Sequence, residues 1–184
     1  MPHSFNQAAL AIIINGMKGG TDSRLADLKR KLENPHQSGS VALDYAITGF
    51  DIIPLVENAI VDLLRMANPD IPNVQVHITS STVRVCADKD FVDFVLRDLF
   101  SQLYYAIKQG TLVSVYVAAT EEAGVVEIQE TGISQLEELL SNNALISTHE
   151  SLIVCRQLLE DMGGEMLYLL NDKGNYFRLK YILG

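Results

Sequence analysis

Apolar positions recur along this chain in two rhythms. Phe5, Ala9, Ile12 and Ile13 fall at helical spacing, and Leu25, Leu28 and Leu32 do so again after the break at Gly19-Gly20-Thr21-Asp22. The spacing predicts two short helices within residues 4 to 34, with Thr21 or Asp22 able to cap the second. Asn34-Pro35-His36-Gln37-Ser38-Gly39-Ser40 reads as a linker. Residues 41 to 47 then alternate as a strand. Asp51 caps a helix to about residue 66, with Pro54 in its first turn, where a missing N–H costs little.

The same two rhythms continue to the end. Val74, Val76 and Ile78 alternate with polar residues in a half-buried strand. Ser80-Ser81 turns the chain into a second strand over 82 to 87, and Asp88 opens a helix to about 108. Strands over 112 to 118 and 125 to 129 flank the turn Glu121-Glu122-Ala123-Gly124. A short helix is predicted over 135 to 140, and a longer one over 148 to 162 that stops at Gly163-Gly164, a glycine C-cap. Strands over 166 to 170 and 176 to 182 close a hairpin around Asn171-Asp172-Lys173-Gly174.

Strand pairs joined by tight turns are antiparallel, and helices alternate with them. The fold class expected is α/β in the α+β sense. It is a two-layer sandwich of a mixed, largely antiparallel sheet covered by helices, preceded by short N-terminal helices. The division expected is a helical hairpin or dimerisation arm over 1–36 and a body over 41–184.

Composition narrows the classes. Of 184 residues 48% are apolar, enough for a sizeable core. A net charge of -9 argues against nucleic acid and against an anionic membrane as partner. The apolar run over 8 to 14 is too short to span a membrane and lacks a basic leader, so a cytoplasmic location is expected. Cys86 and Cys155 lie in apolar runs without a CxxC or a nearby histidine, which predicts two reduced core thiols and no metal site.

Several local strings, in order, are similar to one family. Phe50-Asp51-Ile52-Ile53-Pro54-Leu55-Val56, Ala87-Asp88-Lys89-Asp90, Met162-Gly163-Gly164-Glu165 and Asp172-Lys173-Gly174-Asn175-Tyr176-Phe177 resemble successive landmarks of the ATPase domain of sensor histidine kinases. The resemblance covers roughly 130 residues, and its collinearity carries it rather than any single string.

That resemblance implies a nucleotide pocket whose residues can be checked one at a time. An asparagine should hold Mg²⁺, because a short amide oxygen suits octahedral geometry. Matching from Asp88 puts Asp98 and Gln102 at the two asparagine positions; matching through Ala106-Ile107-Lys108 puts Ser101 and Tyr105 there instead. The adenine-binding carboxylate and first glycine correspond to Glu130 and Gly132, with the second glycine missing. The phosphate-binding glycine motif corresponds to Ser147-Thr148-His149-Glu150-Ser151-Leu152. There Thr148 is retained, His149 and Ser151 replace glycines, and Glu150 adds negative charge. The lid between the two motifs is cut to about 139 to 147.

Four parts of one pocket are altered together. The pattern favours weak nucleotide binding through Glu130 and Gly132 over turnover, since positioning and Mg²⁺ supply nearly all of phosphoryl-transfer catalysis. No cofactor is expected. His3-Ser4-Phe5-Asn6-Gln7 faintly resembles the phosphoacceptor motif of one kinase subgroup, which makes His3 the candidate phosphoacceptor against a plain terminal residue. His36 and His77 read as solvated, His149 as a helix-start residue, Tyr104 and Tyr105 as packing, and Asp88 and Asp90 as helix caps.

The expected function is a two-component module that has lost most ATP-binding residues. It would dock, or exchange phosphate with, a response regulator or histidine kinase, as a homodimer through its N-terminal helices. The alternatives are an active histidine kinase or ATPase with a diverged pocket, or a kinase-fold regulator of a sigma-factor-type partner.

Overall fold

The computed structural model describes residues 4–17, 22–33, 41–66, 73–106, 112–131, 146–171 and 174–184. The elements run β1 (Ser4–Phe5), α1 (Gln7–Gly16), α2 (Asp22–Glu33), β2 (Val41–Ala42), β3 (Ile47–Asp51), α3 (Ile53–Met66), β4 (Asn73–Ile78) and β5 (Arg84–Asp88). There follow α4 (Lys89–Ala106), β6 (Leu112–Ala119), β7 (Ala123–Thr131), α5 (Ile146–Asp161), β8 (Glu165–Asn171) and β9 (Gly174–Ile182). The short helix predicted over 135 to 140 lies outside the described residues.

Five strands form one mixed sheet in the order β4-β6-β7-β9-β8. Its pairs are antiparallel except β4 with β6, which is parallel and registers Val74 on Val113 and Val76 on Val115. One face of this sheet is buried beneath α4 and α5: Val113, Val115, Val117, Val126, Ile128, Phe177 and Leu179 are all at or near zero exposure. Alternation along each strand sends Tyr116, Glu127 and Arg178 to the other face, where Arg178 pairs with Glu127. The α+β class and the mixed, largely antiparallel sheet are those expected.

One expected pairing does not form. The strands predicted over 74 to 78 and 82 to 87 imply a hairpin about Ser80-Ser81. Instead β5 leaves the main sheet and pairs antiparallel with β3, Gly49 opposite Cys86. The two strands differ in burial. Val85 and Ala87 are fully buried on one phase of β5 and meet the α4 side of the core, whereas β4 keeps Gln75, Val76 and His77 exposed at the sheet edge. β4 instead forms the edge of the main sheet, on β6, and β5 is taken up by β3. Residues 43 to 46, predicted as part of a strand, instead separate β2 from β3.

Local capping fixes the helices near the site. The Asp51 carboxylate accepts from Ile53 N at 3.2 Å and from Val83 N at 3.1 Å, so it starts α3 and ties it to the approach to β5. Asp88 accepts from Asp90 N at 3.2 Å and Phe91 N at 3.5 Å and caps α4. At the end of α5, Gly163 has φ 79°; its N–H reaches Glu160 O and that of Gly164 reaches Leu159 O, at 2.9 and 2.8 Å. This is the Schellman pattern, and it needs glycine at Gly163.

The front helices do not stand away from the body. Phe5, Leu10, Ile13 and Met17 of the first segment and Leu28 of α2 belong to the same buried cluster as α3, α4 and α5. α1 lies on α4 and α5, and Gly16 rests on the Phe94 ring so closely that a Cβ there would stand 2.3 Å from a ring carbon. β1 pairs with β2, Phe5 opposite Val41, and closes the base of the α1–α2 hairpin. Ile12 and Ile14 are half-buried on α1. Among the described residues no helix is long and apolar enough to cross a membrane.

Candidate functional site

The site builds from α4 and α5, which run side by side over the sheet. Asp98 and Gln102 are one turn apart on α4, and Ser151 and Cys155 are one turn apart on α5. The two pairs meet. The Ser151 hydroxyl donates a very short hydrogen bond to Asp98 Oδ2, and the Cys155 thiol donates to the same oxygen at 3.5 Å. A side-chain hydrogen bond from Gln102 also supports the carboxylate. Asp98 of α4 thus meets Ser151 and Cys155 of α5. The side chains of Tyr104 and Tyr105 lie outside the described set.

The electrostatics of the cluster are those of a charge taken out of water. Burial pushes the Asp98 carboxyl above its ordinary range, and the donors Ser151, Cys155 and Gln102 oppose the shift only in part. The fully buried Cys155 thiol is pushed well up, first by burial and then by the Asp98 charge beside it, so it stays a thiol and a donor. Tyr181 is buried with a raised hydroxyl pKa, first from burial and then from Cys155. Its oxygen has no hydrogen-bond partner among the described residues.

A carboxyl held above its unfolded pKa binds more protons folded than unfolded over the window between the two values. The Asp98 contribution is therefore most favourable at acid pH and is lost as pH rises through the folded pKa. Asp98→Asn keeps an oxygen for Ser151 and removes the buried charge. It should raise the melting temperature at pH 7, with the gap from wild type closing as pH falls below the ordinary carboxylate range. An unchanged gap from pH 3 to pH 7 in calorimetric scans would refute the assignment.

The other candidate residues fall around this contact. Glu130 ends the inner face of β7 opposite Val113 and is completely buried. Thr148 and His149 lie in the first turn of α5, with their side chains outside the described set. His3, His36 and Gly132 also lie outside the described residues. Glu150 is exposed at the start of α5. It borders a cavity of about 210 Å³ together with Ser4, Phe5, Asn6, Ile153 and Gln157, so β1 and the cap of α1 reach the first half of α5. Sequence reasoning treats Ser151 only as a lost glycine and Cys155 only as a core thiol. The signal that joins them is the matching four-residue spacing of Asp98 with Gln102 and of Ser151 with Cys155. His77 is exposed and stacks on Tyr116 at 4.7 Å on the outer sheet face, away from this contact.

The described part of this architecture is a mixed five-stranded sheet under α3, α4 and α5, with a separate β3–β5 ladder. The catalytic domain of histidine kinase ThkA superposes on it with a TM-score of 0.63 and 18% identity, covering 77% of this chain and 98% of that one. This chain has the histidine-kinase catalytic-domain fold. A histidine kinase from Burkholderia phymatum matches at TM-score 0.63 and 12% identity, over 97% of this chain and 92% of that one. The Acinetobacter baumannii histidine kinase AdeS matches at TM-score 0.55 and 18% identity, over 97% and 93%. At 97% coverage the likeness takes in the front helices as well as the body. No protein-family model and no curated protein matches the chain. At these identities the likeness is one of fold, and what the kinase-like fold does here rests on the residues of the site.

Proposed function

We propose that this chain is a two-component signalling module whose kinase-like body docks, or exchanges phosphate with, a response regulator or histidine kinase without turning over ATP. The observation that carries the reading is the closure of α4 onto α5 through Asp98. Matched from Asp88, the resemblance puts Gln102, a methylene longer than asparagine, at the magnesium position; Gln102 bonds Asp98, at the other asparagine position, whose carboxylate is already engaged by Ser151 and Cys155. A magnesium ligand must offer a free oxygen to an ion that accepts little distortion. Asp98 offers its Oδ2 to α5, and Ser151 puts a hydroxyl where the family has a glycine that lets the backbone approach phosphates. Glu150 adds a charge that repels phosphate at the same helix end. These residues do not fit Mg-ATP.

Phosphotransfer, as the finer form of the reading, would use His3. Ser4 and Asn6, which follow His3, line one cavity with Glu150 near the start of α5, which supports it.

Calorimetric titration with Mg-ATP, and with ADP separately, tests the loss of the pocket. No heat is expected at about 1 mM nucleotide, and binding at or below about 100 μM would overturn the reading. In a parallel assay, His3→Gln should abolish phosphate uptake from a phosphorylated regulator. Unchanged uptake would leave docking without phosphotransfer.

A further inference from the structure

The two front helices are attached to the body by different physics. α1 is held by apolar burial: Ala9, Leu10 and Ile13 are buried in the common core, Met17 follows them, and Gly16 lies on Phe94. α2 has α1 as its close backbone neighbour, and of its described apolar side chains Leu28 is buried and Leu25 half-buried. Lys31 of α2 pairs with Asp27 on its own helix at 3.3 Å and with the fully exposed carboxylate of Asp44 at 3.6 Å. Arg24 carries a polar contact from α2 into the body.

The Arg24 guanidinium engages both oxygens of Asp88, at 3.0 Å from Nη1 to Oδ1 and by a shorter contact from Nη2 to Oδ2. It also donates to Asp44 O at 2.8 Å, lies 3.7 Å from Asp90 Oδ2, and sits 4.5 Å over the Phe91 ring. One side chain of α2 therefore grips the segment entering β3, the start of α4 and the aromatic floor between them. A planar fork that binds a carboxylate edge-on and stacks on a ring is the work of arginine, which lysine cannot reproduce. Asp88 is 1% exposed, yet three backbone donors would remain to it without Arg24: Ala46 N at 2.6 Å, Asp90 N and Phe91 N. The cap of α4 does not depend on the latch.

We infer that α2 is a flap fastened by Arg24, which opens when the Arg24–Asp88 pair is broken while α1 and the kinase-like body stay packed. Opening would lift Leu28 away from Phe91 and Leu43, which line the same cavity of about 320 Å³ between α2 and the start of α4. The front hairpin is then one part fixed and one part releasable, and the releasable part bears directly on the helix that carries Asp98. Neither nucleotide nor partner enters into this latch, so it stands or falls apart from the proposed function.

Native-state hydrogen exchange on the full chain tests it. In Arg24→Gln, amides of α2 should exchange roughly 10- to 100-fold faster, the effect of losing charge-assisted hydrogen bonds to one buried carboxylate. Amides of α4, β6, β7 and β9 should keep their protection, and α1 should change little. Arg24→Lys should fall between wild type and Arg24→Gln. Asp88→Asn, whose one oxygen can keep the Asp90 and Phe91 donors of the α4 cap while giving up Ala46 N, should release α2 in the same way. Unchanged α2 exchange in both Arg24→Gln and Asp88→Asn would overturn the latch. Equal acceleration of α1, α2 and α4 would overturn it too, because Arg24 would then hold the whole fold rather than a flap.

Discussion

Phe94→Ala should destabilise the protein by about 3–5 kcal/mol, the range for emptying a fully buried aromatic site. Phe94 is 1% exposed and lies on α4 one turn before Asp98, beneath the end of α1. The effect gains meaning in a cycle with Gly16. The three heavy atoms that a Cβ at Gly16 would meet first all belong to the Phe94 ring, the nearest at 2.3 Å. Gly16→Ala alone should therefore cost about 1–3 kcal/mol through overpacking. In the Phe94→Ala background the ring is gone, and the same change should become neutral or favourable by up to about 1 kcal/mol, the helix preference for alanine. Urea unfolding of the four proteins measures the coupling. Equal costs of Gly16→Ala in both backgrounds would show that α1 does not rest on α4.

The second large effect concerns the glycine pair after α5. Gly163 has the positive φ, so it is the one a sequence reader would protect. Gly164 should nevertheless be the costlier position. A Cβ on Gly163 would meet Ile182 Cδ1 at 2.5 Å, the far end of a side chain that can rotate away. The left-handed strain that remains is about 1–2 kcal/mol. A Cβ on Gly164 would stand 2.5 Å from Lys180 O and 2.9 Å from Leu159 Cγ. Lys180 is paired on both sides, with Val125 of β7 and Glu165 of β8, so its carbonyl has no room to retreat. Gly164→Ala should cost about 3 kcal/mol, the upper end of ordinary overpacking. Unfolding midpoints that rank Gly163→Ala as the more damaging change would refute this packing argument.

Much of the fold could be read in one dimension. Asp51 and Asp88 stand where caps belong, and their carboxylates do cap α3 and α4. Gly163-Gly164 does end α5, and the strands on either side of residues 120 to 122 do form a hairpin. These signals are local, since each depends on residues a few positions apart. Pairings between distant strands were not legible. The tight spacing of β4 and β5 implies a hairpin, whereas β4 finds β6 and β5 finds β3. Strand partnership is decided by which faces can be buried together, and that depends on residues tens of positions away.

The candidate site divides in the same way. The sequence by itself determined which side chains stand at these positions, because identity at a position needs no structure. It also determined the helical spacing that puts Asp98 with Gln102 and Ser151 with Cys155. Only the tertiary structure decided that these two pairs face each other, so that the Ser151 hydroxyl and the Cys155 thiol take up one carboxylate oxygen. Only it placed Arg24 on Asp88, 64 residues away in the chain. The physical reason is common to both. A buried charge must find donors wherever packing brings them, and packing is a property of the whole core rather than of any stretch of sequence.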